Sequence, residues 1–293
     1  MGDLKNLLPD LLNDSLVDNL IDLSLLEDGI SNDLTTLATG CAEVGRTVRA
    51  TVIAKKTTIA AGGILSRKVL QRAGFSEKVT VSILADDGAS LGDKAPWIIL
   101  EGSANAILRT ERTILNFLMR MCGIASHTRQ IVTLLEGTNC KLLHTRKTVP
   151  GHRLTDIYAT LVGGAYPHRK SLSDAILVKE NHLRASQSLQ HLKDGIAKFR
   201  DQASFVEIEV SNFIELKYAM ENKPNRVMLD NFSVADVQKA VNLFGSAVEL
   251  EASGNINLET VRAYAETGVD YVSMGAITHS SPAADLSLLF DFS

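Results

Sequence analysis

The sequence predicts an α/β protein in two parts: a compact α+β unit of short, half-buried strands, then a sheet of six parallel strands alternating with helices. Three observations carry this. Residues 46–101 alternate apolar and polar side chains in short bursts, the period of strands with one wet face. From Ser103 the period becomes that of a helix. Beyond it, six apolar runs alternate with amphipathic stretches, which means parallel strands joined by crossover helices.

At the N-terminus, Asp3, Asp10, Asp14, Asp18 and Asp22 are spaced among leucines. A secretory signal needs a basic start and an uninterrupted apolar stretch, so an amphipathic helix is expected instead. Met1-Gly2 opens like a myristoylation site, but Asn6 stands where that motif requires Ser or Thr. The strands come next, as in Val48-Arg49-Ala50-Thr51-Val52 and Val79-Thr80-Val81-Ser82-Ile83, with turn chemistry at Asp86-Asp87-Gly88 and Gly92-Asp93. With the acidic helices before them they make the α+β unit. Ile107, Ile114, Leu115, Leu118, Met121 and Cys122 then mark a helix running to Gly123, expected to bridge the two parts.

The six apolar runs are Lys141-Leu142-Leu143, Ala175-Ile176-Leu177-Val178, Phe205-Val206-Glu207-Ile208, Arg226-Val227-Met228-Leu229, Ala247-Val248-Glu249-Leu250 and Tyr271-Val272-Ser273-Met274. Helical stretches between them include Phe213 to Met220, Val234 to Phe244 and Leu258 to Ala265. This pattern suits an incomplete barrel and an open doubly wound sheet equally.

Composition narrows the function. A chain of 293 residues, 45% hydrophobic and 22% charged, is ordinary for a soluble globular protein with one large or two unequal domains. Cys41, Cys122 and Cys140 lie far apart without a Cys-x-x-Cys pair, so neither a zinc site nor a disulfide framework is expected and a reducing cytoplasm fits. No stretch offers the roughly eighteen uncharged apolar residues of a membrane span. The net charge of −4 argues against bulk nucleic-acid binding. An anionic ligand must therefore meet a local cluster of cations. His127, His152, His191 and His279 show no metal-ligand spacing and are read as structural or surface residues, while His182 is close enough to Lys179 to orient groups there.

The informative positions lie just beyond the apolar runs or at their ends: Arg146-Lys147, Lys179, Glu209, Asp230, Glu251 and finally Gly275. In parallel α/β architectures the C-terminal strand ends form the ligand site. A core gains nothing from charges placed there, so five charged positions at one rim point to function. With His168-Arg169-Lys170, half of that rim is positive, and the later strands make the other half negative. This division suits an anionic substrate on one side and a metal-bound or hydroxyl-rich ligand on the other. Ser253-Gly254-Asn255, ahead of a helix expected at about Leu258, and Gly275, ahead of another short segment, present backbone N–H groups that can hold a phosphate.

These residues resemble a known family. Glu111-Arg112-Thr113 with Gly123-Ile124-Ala125, Thr145-Arg146-Lys147-Thr148 with Pro150-Gly151, and Gly163-Gly164 with His168-Arg169 are succeeded by Lys179-Glu180-Asn181-His182, Glu207-Ile208-Glu209, Leu229-Asp230-Asn231, Ser253-Gly254 and Thr278-His279-Ser280. In this order and at this spacing, from about residue 20 to the C-terminus, the set resembles quinolinate phosphoribosyltransferase, also called carboxylating nicotinate-nucleotide pyrophosphorylase. The resemblance implies an N-terminal α/β sandwich over residues 1–117, on which the tail 283–293 can pack, and an incomplete six-stranded parallel α/β barrel over 118–282. It also implies a cytoplasmic homodimer with sites at the subunit boundary, using quinolinate, phosphoribosyl pyrophosphate and Mg²⁺ in NAD biosynthesis.

Residue by residue, it implies that Arg112 reaches into the partner's site and that Arg146, His168 and Arg169 hold the quinolinate carboxylates. Lys147, Lys179, Glu209 and Asp230 are the catalytic set, with Glu209 and Asp230 facing the ribose and Mg²⁺. Glu251 joins the substrate-binding residues, and the Ser253-Gly254-Asn255 and Gly275 backbone cradles the 5′-phosphate. His144, Ala165 and Pro167 depart from the usual Asp, Gly and Asn. Pro167-His168-Arg169 also matches molybdenum-transport-associated paralogues, but those usually lack the Lys-Glu-Asn-His and Glu-Arg-Thr blocks present here. A lysine Schiff-base aldolase, using Lys147 or Lys179, is the other alternative.

Overall fold

Alternation of leucine with aspartate produces the first helices. The computed structural model describes residues 2–41, 46–186 and 188–291, and in it Gly2–Asn13 and Ser15–Glu27 are helical. Asp14 caps the second helix by accepting from the Leu16 N–H at 2.9 Å. Val17, Ile21 and Leu25 recur every four residues on its buried stripe.

The chain divides into two compact units. Residues 1–129, 148–164 and 277–293 make the first. Its strands are β1 (Thr47–Ala54), β2 (Thr58–Ile59), β3 (Val79–Ile83), β4 (Ser90–Leu91) and β5 (Pro96–Ser103). A four-stranded antiparallel sheet runs in the order C-terminal strand Leu286–Phe290, β1, β5, β3. Ala50, Val52 and Ala54 of β1 turn inward, and the core continues through Trp97, Ile98, Leu100 and the helix residues Ile107, Leu118 and Met121.

The helix expected to end at Gly123 runs from Ala104 to Leu134. Gly123 lies inside it for another reason. A Cβ there would collide with the Pro282 carbonyl, so glycine lets the returning chain pass close over the helix. Arg120 of this helix donates two 2.7 Å bonds to the buried Asp156 carboxylate and a third, at 3.2 Å, to the Thr278 carbonyl. Helix Arg153–Gly163 is thereby fixed in the first unit's core, where Ile157, Ala159 and Leu161 are buried.

Residues 130–147 and 165–276 make the second unit. Its strands are β6 (Lys141–Leu143), β7 (Ile176–Val178), β8 (Val206–Val210), β9 (Arg226–Asp230), β10 (Glu249–Ser253) and β11 (Tyr271–Ser273). All pair in parallel, in the order β6, β11, β10, β9, β8, β7. The last strand closes onto the first, while β6 and β7 do not pair, so the sheet is a barrel left open between its first two strands. Helices Phe213–Glu221 and Val234–Phe244 stand where the amphipathic stretches place them. The helix expected at about Leu258 begins at Val261 and ends at Glu266. No helix among the described residues is long and apolar enough to cross a membrane.

Candidate active site

Parallel pairing brings the strand ends of the second unit to one mouth. A cavity of about 290 Å³ opens there. His144, Thr145, Arg146 and Lys147 line it from beyond β6, His168 and Arg169 from the segment before β7, and Lys179 from just after β7. Glu209 of β8, Asp230 of β9, Glu251 and Ser253 of β10, and Ser273 of β11 complete the ring. Arg146, Lys147, His168, Arg169, Lys179, Glu209, Asp230, Glu251 and Ser253 thus line one cavity.

Arg112, Gly254, Asn255 and Gly275 are not among the lining residues. Arg112 is exposed on the long helix of the first unit. Gly254 and Asn255 form the turn after β10, at φ +90° and +54°. The N–H groups ahead of Val261 are partly taken already: Asn257 Oδ1 accepts from the Glu259 and Thr260 amides at 2.9 and 3.1 Å. That helix start therefore offers fewer free backbone donors.

Register explains the central ion pair. Val178 pairs with Ile208, so Lys179 and Glu209 come next side by side, and Lys179 Nζ donates to Glu209 Oε2. Asp230 is held nearby by the Asn231 side-chain amide, which donates to its Oδ2 at 2.9 Å. Burial raises the Asp230 pKa and Glu209 raises it further, against the opposing pull of Lys179 and Lys147. On the cationic side, burial and then the nearby Arg146 guanidinium lower the Arg169 pKa. Like charges are crowded in each half, the arrangement that a ligand of opposite charge relieves.

Two carboxylates on one cavity wall, one of them with a raised pKa, are a donor set suited to a hard divalent cation. Glu209 and Asp230 fit Mg²⁺ on that ground. A second cluster, His168, Glu207 and Glu251, brings its ligand atoms within 4.8 Å of one another. There Arg226 already supplies positive charge, its Nη1 lying 3.5 Å from Glu251 Oε2.

This second cluster corrects one expectation. Glu251 does not stand at its strand end but two residues inside β10, fully buried beside Glu207 and Arg226. His168 Nε2 lies 2.9 Å from Glu207 and 3.4 Å from Glu251. Burial alone would lower the His168 pKa, but bonds and charges of the two glutamates outweigh it and push it up to about 9. The free ring nevertheless accepts the Arg169 N–H at Nδ1, so a second proton has to displace that bond. Burial raises both carboxyls, and His168, Ser273 and Arg226 bring Glu251 below its ordinary value while Glu207 stays above. Glu207 and Arg226 were not among the expected site residues. The available signal was a charged residue inside each of two apolar runs.

His182, expected to orient groups near Lys179, accepts the Lys179 backbone N–H at 2.9 Å through Nδ1 and so fixes the start of the helix Glu180–Ala185.

Comparison with known proteins agrees with this geometry. The N-terminal domain model of quinolinate phosphoribosyl transferase matches residues 33–122, and the C-terminal domain model matches residues 124–289. Quinolinate phosphoribosyltransferase [decarboxylating] 1b of Nicotiana tabacum is 35% identical over 291 residues, covering 93% of this chain and 81% of that protein. Nicotinate-nucleotide pyrophosphorylase [carboxylating] of Mycobacterium leprae is 35% identical over 261 residues, covering 87% and 90%. The solved structure of the nicotinate-nucleotide pyrophosphorylase from Francisella tularensis superposes with a TM-score of 0.86 at 36% identity, over 94% of this chain and 96% of that one. Both domain models in sequence, over a barrel mouth that carries the expected opposed charges, place this chain in the quinolinate phosphoribosyltransferase family.

Proposed function

We propose that the protein transfers the phosphoribosyl group of phosphoribosyl pyrophosphate to quinolinate, giving nicotinate mononucleotide, pyrophosphate and CO₂ for NAD biosynthesis. Family membership supports the reaction. The observation that carries the chemistry is a single cavity with Arg146, Lys147, Arg169 and Lys179 facing Glu209 and Asp230.

Transfer breaks the bond between the anomeric carbon and pyrophosphate, so positive charge grows on the sugar and negative charge on the leaving group. Glu209 and Asp230 stabilise the first charge; Lys147 and Lys179 stabilise the second. Lys179 is held in the cavity by its ion pair with Glu209, so its charge is in place before the leaving group arrives. Glu209 and Asp230 would also hold Mg²⁺, which supplies charge neutralisation to the pyrophosphate when bound. Arg146 and Arg169 present planar forks that match carboxylates in pairs, with His168 beside them. Once the ring nitrogen carries ribose it is a pyridinium. That withdraws electrons from the adjacent carbon and lets its carboxylate leave as CO₂, and the electron pair left on that carbon takes up a proton from solvent to form the product's C–H bond.

The proposal includes a homodimer in which Arg112 serves the partner's cavity. Its exposure on the long helix supports this, as do Leu16, Leu23, Leu26, Leu34 and Leu37, which stand exposed on the N-terminal helices. A cytoplasmic setting is supported by free Cys41, Cys122 and Cys140. Incubation with quinolinate, phosphoribosyl pyrophosphate and Mg²⁺ should yield nicotinate mononucleotide and CO₂. Absence of both products would overturn the assignment, and neither a Schiff-base aldolase nor a transport-linked binder would form them.

A further inference from the structure

His168 and Arg169 sit on residues 167–175, which contain no helix or strand. Such a segment is only as fixed as its hydrogen bonds. Three of these run in series. The His168 backbone N–H donates to His144 Nε2 at 3.0 Å. The Arg169 backbone N–H donates to His168 Nδ1 at 2.7 Å. His168 Nε2 then meets Glu207 Oε2 at 2.9 Å. In the neutral ring the directions agree, because an imidazole that accepts at Nδ1 carries its proton on Nε2, where it donates to the carboxylate. The second proton favoured by the raised pKa displaces only the Arg169 bond and leaves those to His144 and Glu207 in place.

We propose that His144 and Glu207 are positioning residues for the pyridine diacid, anchoring His168 through its backbone N–H and its ring so that the neighbouring Arg169 guanidinium is aimed into the cavity. The assignment rests on the transferase reading. His144 is only 1% exposed. Burial pushes its pKa down to about 4, with the neighbouring His168 adding to the effect, so the ring is neutral and its Nε2 lone pair is free to accept. Its Nδ1 is buried and makes no hydrogen bond of full geometry, with only the Thr145 backbone beside it. A buried polar atom left unpaired is unfavourable, and an apolar side chain would avoid it. The bond made by Nε2 gives the ring its reason to be there. Glu207 is held in turn by the charge of Arg226, which also lies 3.3 Å from Glu249.

The test varies quinolinate and phosphoribosyl pyrophosphate separately for wild type, His144→Leu, His144→Gln and Glu207→Gln. Leucine keeps the volume and removes the acceptor; glutamine returns an oxygen near the position of Nε2. His144→Leu should raise KM for quinolinate about tenfold, the effect of one lost hydrogen bond that strands a buried donor. KM for phosphoribosyl pyrophosphate should stay within about twofold, and His144→Gln should recover most of the loss. Glu207→Gln, which keeps an acceptor but not its charge, should raise KM for quinolinate about threefold. An unchanged quinolinate KM, equal shifts for both substrates, or glutamine no better than leucine would overturn the assignment. If thermal unfolding shows that His144→Leu does not fold, Glu207→Gln decides by the same selectivity. Wild type that forms no nicotinate mononucleotide ends the transferase reading; active wild type with unselective variants ends the positioning role alone.

Discussion

Lys179 and Glu209 were legible because each ends an apolar run, where a charge has no use in a core. On the proposed mechanism, truncating either removes one preorganised charge from the transition state. Turnover of Lys179→Ala or Glu209→Ala should fall by about 10²–10³ with circular dichroism unchanged, and near-normal turnover would contradict their roles. Glu207 was not legible, although it lies only two residues from Glu209. In β8 the glutamates alternate with Val206, Ile208 and Val210, and period-two reading assigns the polar face to solvent. Only closure of the sheet turns that face into a barrel interior, where Glu207 is buried. His144 has a consequence that pH reveals. Its folded pKa of about 4 lies below the ordinary 6.5 because of burial, with His168 opposing protonation and Asp174 and Glu251 favouring it. The unfolded chain therefore binds a proton that the folded one refuses, and stability falls as pH drops from about 7 toward 4.5. By linkage the loss should be about 2 kcal/mol. Urea unfolding of wild type should show it relative to His144→Gln, and parallel pH curves for the two would refute it.

Among elements, the six strands, the long helix and the helices Phe213–Glu221, Val234–Phe244 and Val261–Glu266 can be read from periodicity, because an amphipathic stripe must face the sheet it covers. Barrel closure cannot, since a short parallel strand looks the same in an open sheet. Nor can the packing of helix Arg153–Gly163 into the first unit, which depends on the Arg120–Asp156 pair made across 36 residues of sequence. Gly123 misled the helix boundary because glycine is both a terminator and a point of close approach. The turn after β10 yields a prediction. Gly254 has φ +90°, and a Cβ there would collide with the Asn231 side-chain oxygen. Asn231 is bonded by Asn255 at 3.0 Å and itself holds Asp230 at 2.9 Å. Gly254→Ala should therefore destabilise the protein by about 1–3 kcal/mol through backbone strain. It should also lower kcat/KM for phosphoribosyl pyrophosphate more than for quinolinate, because the displaced asparagine sits beside the acid assigned to the sugar. Equal losses for both substrates would count against that assignment.

At the scale of the whole molecule, the chain leaves the first unit, enters the second, returns for residues 148–164, and comes back again at Ile277 to add the strand Leu286–Phe290 beside β1. Neither unit is one continuous stretch, so a cut between them would strand segments of both, and the intact chain is the sensible object of experiment. The assembled cavity draws every lining residue from the second unit, whereas Arg112 lies in the first. If Arg112 completes the site of a partner, a subunit lacking it still offers a sound barrel mouth, and a subunit lacking Lys179 still offers a sound Arg112. Each of Arg112→Ala and Lys179→Ala should be nearly inactive alone. Mixed by denaturation and refolding or by co-expression, half of the dimers are hybrids carrying one wild-type site of two, so activity should recover to about a quarter of wild type. Recovery should fail when both substitutions are placed in one chain and mixed with itself. If the mixture of single variants stays as inactive as its parents while sedimentation shows dimers forming, Arg112 does not act across subunits and the cavity must be completed from within its own chain.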